Sequence, residues 1–564
     1  MQKSLQFLDY VVFLVYFVIV AGYGLYIYKK KKRQTTDSKD FFLAEGSLTW
    51  WAIGASLIAS NISAEQFIGM AGSGFNIGLA ISTYEWMAAA TLIIVAVFFL
   101  PIYLKNKIYT MPQFLLTRYN KTVSTIMAVF WLLLYVVVNL TSILYLGALA
   151  VNTISGINFY VCMSLIALFA IFITLGGMKV IGYTDVIQVF FLILGGLVTT
   201  YLALSLVSEH FGQTGVLKGF SLMTEHASDH FHMILKKDNP HYLDLPGLTV
   251  LVGGMWIVNL NYWGCNQYIT QRALGADLKT ARSGLLFAGF LKLLMPVIVV
   301  LPGIAAYVLH SQGMFQQEMI KAGELNPDNA YPVLMNLLPA GMKGLAFAAL
   351  TAAVVASLAG KANSISTIFS LDIYKEIFDR NADEKKIVNV GRVVVIVAMI
   401  LAIIISPFLG IDKKGGFQFI QEYTGFVSPG IFAMFILGFF WKRTTANAAL
   451  FAMIGGFAMS LILKFLPLWM DLSSLYDMGL AVANSKGVYE IPFLDRMGIV
   501  FGVCVVGMII ISLLGPAPGK VTAAGTSGSH ALEVDSSMFK PSLAFTVIAL
   551  IICGILTALY TIFW

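Results

Sequence analysis

Residues 57–71 read LIASNISAEQFIGMA. The flanks are apolar enough for lipid, yet Ser60, Asn61, Ser63, Glu65 and Gln66 crowd the middle. A membrane helix satisfies its own backbone, so a break survives only where protein or a cavity covers it. Ser and Asn side chains compete for backbone bonds. The stretch therefore predicts a helix interrupted within the bilayer. Unwound carbonyl oxygens suit a hard cation such as Na⁺, and a half-helix N-terminus suits a polar or anionic group. For Ser60 and Ser63 alone, polar packing between helices is an equal alternative.

The rest of the chain supplies the membrane setting. Of 564 residues, 58% are hydrophobic and 12% charged, against roughly a quarter charged in soluble domains. Mean hydropathy is +0.82. An all-α polytopic membrane protein follows, with spans near 10–28, 48–70, 75–103, 123–150, 157–176, 182–207, 246–269, 283–309, 343–368, 388–409, 418–440, 446–468, 498–514 and 542–562. That makes about 14 helices, each near the ~20 residues that cross a bilayer. The first run is too long for a cleavable signal and leads directly into YKKKKR (28–33), so it reads as a retained span.

The net charge of +7 invites a nucleic-acid reading, which its placement removes. Alternate loops at 29–39, 105–121, 179, 272–282, 375–392, 442–443 and 520–540 hold about 23 of the 36 Lys and Arg. That side faces the cytoplasm of a cell (inner) membrane, which puts both termini outside. Loops 208–245 and 310–342 then lie outside and are expected to form short surface helices. Loop 515–540 is rich in Gly, Ser, Ala and Pro and reads as flexible. Cys162, Cys265, Cys504 and Cys553 show no paired spacing. No phosphate loop, HExxH or CxxC appears, and no enzyme is expected. His210, His226, His230, His232 and His241 gather in loop 208–245, where they read as solvated residues rather than a metal site.

More polar groups sit within spans. Glu85 lies in STYEWMA (82–88), and an intramembrane carboxylate marks function by default. WIVNLNYWGCNQY (256–268) sets Asn259, Asn261, Asn266 and Gln267 beside Tyr262 and Trp263. Amides that bond hydroxyls, next to an aromatic face, suit a sugar; an interfacial aromatic belt is the alternative. Lys292 is mid-span, with Glu85 as its expected partner or a snorkelling role instead. TAAVVASLAGKANSIST (351–367) offers Ser357, Asn363, Ser364 and Ser366, and FQFIQEYTGFVSPG (417–430) offers Gln418, Gln421, Glu422 and Thr424. One shared polar cavity would hide these groups from lipid at low cost. No Arg is expected in it, which favours a neutral cargo over an anionic one.

At these residues the chain resembles the sodium/solute symporter family, most closely bacterial members of its sodium/galactose–glucose branch. SNISAEQFIGMAGSG (60–74), GGMKVIGYTDVIQVFF (176–191), NLNYWGCNQYITQR (259–272), FLKLLMPVIVVLPGIAAYV (290–308), NSISTIFSLDIYKE (363–376) and IQEYTGFVSPG (420–430) carry the likeness. The resemblance implies a LeuT-type fold of two inverted five-helix repeats. Repeat one would span 48–207 and repeat two 246–440. An extra helix and basic loop (1–47) would precede them, the outer loop 208–245 would separate them, and three helices (441–564) would follow. It implies Na⁺ and a small-molecule sugar as cargo in a lipid bilayer, with no obligate protein partner and no nucleic acid. Gln66, Glu85, Asn259, Lys292 and Gln421 would meet sugar hydroxyls, with Asn61 and Ser63 close by and Tyr262 stacked on the ring. Na⁺ would take the carbonyls of Ala59 and Ile62, together with Ala353 and Ser357, and Asp185 would stand on its exit path. Ala88, Asn261, Ala356 and Lys361 depart from the family pattern. Lys361 is expected to pair with Asp185 or to snorkel toward the inner interface.

Overall fold

The protein is described by a computed structural model covering residues 5–31, 38–44, 48–321, 323–408, 416–516 and 532–564. Most of the loop expected to be flexible, 517–531, lies outside the described residues, as do Lys32 and Arg33 of the basic stretch. Among the described residues, ten helices are long and apolar enough to cross a membrane. Two shorter apolar helices, Phe159–Thr174 and Ser428–Phe440, fall where spans were expected. In the two remaining regions, 48–70 and 246–269, the helices are interrupted.

The most enclosed element is Met342–Thr367, which continues through π-helical turns to Phe378. It is rich in Ala, Gly and Ser, so neighbouring backbones approach closely. It packs against Met178–His210, Phe159–Thr174 and the N-terminal helix Phe7–Lys31. The last contact is pinned by Asp9, which is buried and accepts from Gly341 N–H and Gly344 N–H, both at 2.8 Å. A carboxylate there satisfies open amides at a helix N-terminus and meets its partial positive charge.

Helix starts follow the local sequence. Asn120, Asn158, Asp277, Asp383 and Ser542 each accept a backbone N–H of the turn they cap. Arg118 does the opposite service at a helix end. It is buried and donates to the carbonyls of Gly438 (2.8 Å), Trp441 (2.9 Å) and Thr444 (3.1 Å), closing helix Ser428–Phe440. Leu278–Ser311 runs 34 residues despite Pro296 and Pro302. At 1.5 Å per residue that is ~50 Å, longer than the ~30 Å hydrocarbon core.

Loops 208–245 and 310–342 each carry a short helix: Val216–His226 lies largely at the surface as expected, whereas Ala330–Asn336 is buried and corrects that expectation. The reading of His230 as solvated is corrected. It is buried, stacks on Tyr307 at 3.9 Å, and its Nε2 lies 3.0 Å from the Phe75 carbonyl. Gly78 makes this seat possible, with φ +85° and no side chain toward His230, whose carbonyl would lie 2.3 Å from a Cβ. Among the described residues no group of three His, Cys, Asp or Glu could hold a metal ion.

Candidate functional site: two interrupted helices and a buried ion pair

The quoted stretch breaks as its composition predicts. Trp50–Asn61 is helical, and its ladder ends with Ile62 N–H to the Ile58 carbonyl at 2.8 Å. Ile62 is extended (φ −82°, ψ 117°). The next amide, Ser63 N–H, turns to Gln66 Oε1 at 2.9 Å, so the Ala59 carbonyl loses its helical donor. Ser63 Oγ accepts from Glu65 N–H at 3.1 Å, and the chain resumes as a π-helical turn, Glu65–Met70, then Ala71–Asn76. The second break is near Cys265. Gly254–Gly264 ends there, Asn266 is extended, and Gln267–Leu274 begins anew. Tyr135 hydroxyl donates to Asn266 Oδ1, and Gln267 Oε1 accepts from Met111 N–H at 2.7 Å. These two amides hold the second break in place and do not reach the polar cluster below.

Between the breaks lies a buried polar cluster. Lys292, on Leu278–Ser311, forms an ion pair with Glu85 of Thr83–Ile94 and donates to Asn61 Oδ1. The two side chains of the pair are 1% and 4% exposed. Asn61 Nδ2 donates to the Tyr262 hydroxyl at 2.8 Å. The Trp263 ring faces the Lys292 ammonium at 5.1 Å. A chain of bonds thus links Glu85, Lys292, Asn61 and Tyr262, side chains from four segments far apart in sequence. Gln66 and Ser63 are buried at the break and bond each other there. Asn259 is buried on the helix of Tyr262, its amide donating to the Met255 carbonyl at 3.2 Å. Asn261 donates to Ser428 Oγ at 3.1 Å.

Gln421 lies on Gly416–Gly425, which abuts the first break. Gly69 permits the approach, since a Cβ there would sit 2.7 Å from Phe417 N. Gln421 is one turn beyond Phe417 on the same face. Its neighbour Glu422 is elsewhere. It pairs with Arg496 (3.0 Å) and Lys464 (2.5 Å), binding this helix to the C-terminal helices, so its expected place among cavity groups is corrected.

A second polar cluster joins the first broken helix to Met342–Thr367. Ser357 Oγ donates to the Ser60 carbonyl at 3.0 Å, and Ala353 is one turn earlier on the same face. Ser60 Oγ is buried with no hydrogen-bond partner among the described residues. Carbonyl and hydroxyl oxygens are the donors a hard cation takes, so this set fits Na⁺. Ser364, two turns further along, donates to Gln271 Oε1 at 2.9 Å.

Asp185 accepts from Ser56 Oγ at 2.5 Å, and its electrostatic partner is Arg272. Arg272 Nε donates to Ser56 Oγ (3.0 Å) and to the Ser56 carbonyl (3.1 Å), and its Nη1 to the Tyr268 carbonyl. The expected Lys361–Asp185 pair is therefore corrected: Arg272 is the cation beside Asp185. Sequence reasoning missed Arg272 because it ends an apolar stretch and counts as one more inner-loop charge. The signal available was YITQR (268–272), whose Gln271 and Arg272 continue the polar run of a broken span.

Two interrupted helices, with an oxygen cluster and an ionic cluster between helices, mark a multi-pass α-helical membrane transporter. The model of the sodium:solute symporter family matches residues 41–456. The chain belongs to that family, whose coupling ion is Na⁺. It is 47% identical to the sodium/glucose cotransporter of Vibrio parahaemolyticus, over 100% of this chain and 99% of that protein. It is 34% identical to the human sodium/myo-inositol cotransporter 2, over 82% of this chain and 70% of that one. In fold it resembles a solved Na⁺-coupled sialic acid symporter, with TM-score 0.73, 22% identity, and coverage of 92% of this chain and 100% of that one.

Proposed function

We propose that the chain couples Na⁺ influx to uptake of a neutral sugar of the glucose or galactose type by alternating access. One observation carries the cargo: Glu85, Lys292, Asn61 and Tyr262 form a bonded chain of hydroxyl-binding groups with an aromatic at its end. Carboxylate, ammonium and amide bond sugar hydroxyls, and the Tyr262 ring covers a C–H face. The likeness to the Vibrio sodium/glucose cotransporter supports the same cargo. The human relative favours a second reading, another neutral polyol such as myo-inositol. Ala88 and Asn261 are the departures that would set such a preference.

In this reading Gln66, Glu85, Asn259, Lys292 and Gln421 meet the hydroxyls, Asn61 and Ser63 stand close by, and Tyr262 gates the inner side. In the bonded cluster, Lys292 and Asn61 hold each other's polar groups until hydroxyls replace these bonds. Ala59, Ile62, Ala353 and Ser357 receive Na⁺, and Asp185 lines its exit. The interrupted helices Trp50–Asn76 and Leu248–Leu274 complete fourteen spans. They open two inverted repeats, 48–207 and 246–440, flanked by 1–47, the outer loop 208–245 and 441–564. Both termini face outward. Na⁺ bridging the first break to Met342–Thr367 favours the outward-open state; rocking of the repeats follows, and Na⁺ then leaves inward. Coupling requires that Na⁺ bind the two states unequally.

The driving force suffices. One charge crossing 100 mV gives ~2.3 kcal/mol and a tenfold Na⁺ gradient ~1.4 kcal/mol. Their sum, ~3.7 kcal/mol, supports roughly 500-fold accumulation at one-to-one coupling. Labelled-glucose uptake into proteoliposomes, with galactose, myo-inositol, proline and sialic acid as competitors, tests the cargo. Competition by hexoses alone supports the sugar reading, myo-inositol winning supports the polyol reading, and competition by proline or sialic acid alone overturns both.

A further inference from the structure

Lys361 is a buried cation that neither the sugar cluster nor the Asp185 cluster uses. It is 1% exposed and lies one turn beyond Ser357 on Met342–Thr367. Its Nζ donates to Ser357 Oγ at 3.4 Å, and the Tyr268 ring faces it at 4.7 Å. The charged groups that act on it are Glu65, on the π-helical turn after the first break, and Arg272, at the end of the second broken helix. Arg272 is turned to Ser56 and Asp185, and among the described residues no carboxylate lies within 4 Å of Lys361 Nζ. A lysine ammonium away from water needs oxygens or counter-charge. Here the oxygen it reaches is that of Ser357, which is itself bonded to the Ser60 carbonyl and which the Na⁺ reading also requires.

An ammonium and Na⁺ are both compact monovalent cations that seek oxygen. Two such charges a few ångströms apart in a low-dielectric interior repel strongly. We propose that Lys361 is a tethered cation that stands in for Na⁺ between the first broken helix and Met342–Thr367, and that Na⁺ binds by displacing it. The inference rests on the Na⁺-symport reading and refines its ion site. With Lys361 in place, Ser357 and the Ser60 carbonyl stay linked and the two helices stay bridged without Na⁺. Sugar then binds in the absence of Na⁺. When Na⁺ arrives the ammonium withdraws toward Glu65, the carboxylate whose field it already feels. Ala356, beside Ser357, supplies no oxygen, so the ion competes for a reduced set and binds weakly.

Binding of ²²Na⁺ and of labelled glucose to the purified full chain in detergent tests this, using wild type, Lys361→Met and Lys361→Gln. Both variants are expected to lower the Na⁺ concentration for half-saturation at least tenfold. Wild type is expected to bind glucose in choline buffer, whereas Lys361→Met binds it only after Na⁺ is added. Ser357→Ala in the Lys361→Met background is expected to raise the Na⁺ half-saturation again. Half-saturation unchanged within twofold in both Lys361 variants overturns the inference and leaves the symport reading standing. Glucose binding by wild type that requires Na⁺ overturns the bridging role. Absence of saturable Na⁺ binding in all three proteins overturns the symport reading and this inference together.

Discussion

Replacing Lys292 by Met strands Glu85. The pair is nearly sealed, at 1% and 4% exposure, and Lys292 also serves Asn61. Removing one partner of a buried pair costs ~3–5 kcal/mol, because the remaining charge is left uncompensated. Lys292→Met and Glu85→Gln should each destabilise the protein within that range or somewhat below, since Glu85→Gln keeps a hydrogen-bonding amide. The double variant removes both charges and should recover much of the loss. A double-mutant cycle on unfolding in detergent should give an interaction energy of at least ~2 kcal/mol. Sugar recognition should behave differently. Each charged hydrogen bond to a hydroxyl is worth ~1.5–3 kcal/mol, so losing Lys292 should weaken sugar binding by about 10- to 150-fold. The double variant should not recover binding, because the hydroxyl partners are gone. Additivity within ~0.5 kcal/mol would refute the pairing. Unchanged uptake by Lys292→Met or by Gln421→Ala would refute the cavity assignment.

Three further outcomes follow from other contacts. Gly69→Ala should cost ~1–3 kcal/mol and slow transport, because its Cβ would meet backbone atoms of Phe417 at 2.7 and 3.2 Å; thermal unfolding with parallel uptake reads this. Arg272→Met should destabilise by ~3 kcal/mol and Asp185→Asn in that background should restore part of it, since Ser56 alone would then serve Asp185. Asp277 is held below the usual carboxylate range by the Thr280 hydroxyl and then its backbone N–H. Its contribution is present above the ordinary Asp pKa of ~3.9 and fades as pH falls through the lowered folded value. Asp277→Ala should therefore cost ~1 kcal/mol near neutral pH, with the difference from wild type closing as pH falls below the ordinary Asp pKa of ~3.9.

The parts of this architecture legible in the sequence were those with a local signature. Ser60, Asn61 and Ser63 announce the first break because their side chains compete for backbone groups within a few residues. Glu85 and Lys292 stand out because charge is rare in spans, and burial leaves few ways to satisfy it but each other. The second break was less legible. Asn266 and Gln267 are held by Tyr135 and Met111, contacts 131 and 156 residues away. The partner of Lys361 was misread because helical periodicity fixes a face and a depth but not which neighbouring helix meets it. Arg272, not Lys361, reaches the Asp185 side through the second broken helix. Glu422 looked like a cavity group because Arg496 and Lys464 lie on helices the sequence placed apart. His230 looked solvated because nothing local shows that Gly78 and Tyr307 make a seat for it.

The most direct test of the central claim is ²²Na⁺ influx into proteoliposomes holding the purified protein, measured with and without external glucose. Coupled transport predicts that glucose accelerates the ion's influx, and that Lys292→Met moves the acceleration to about 10- to 150-fold higher glucose. Influx indifferent to glucose, with glucose flux indifferent to Na⁺, would contradict it.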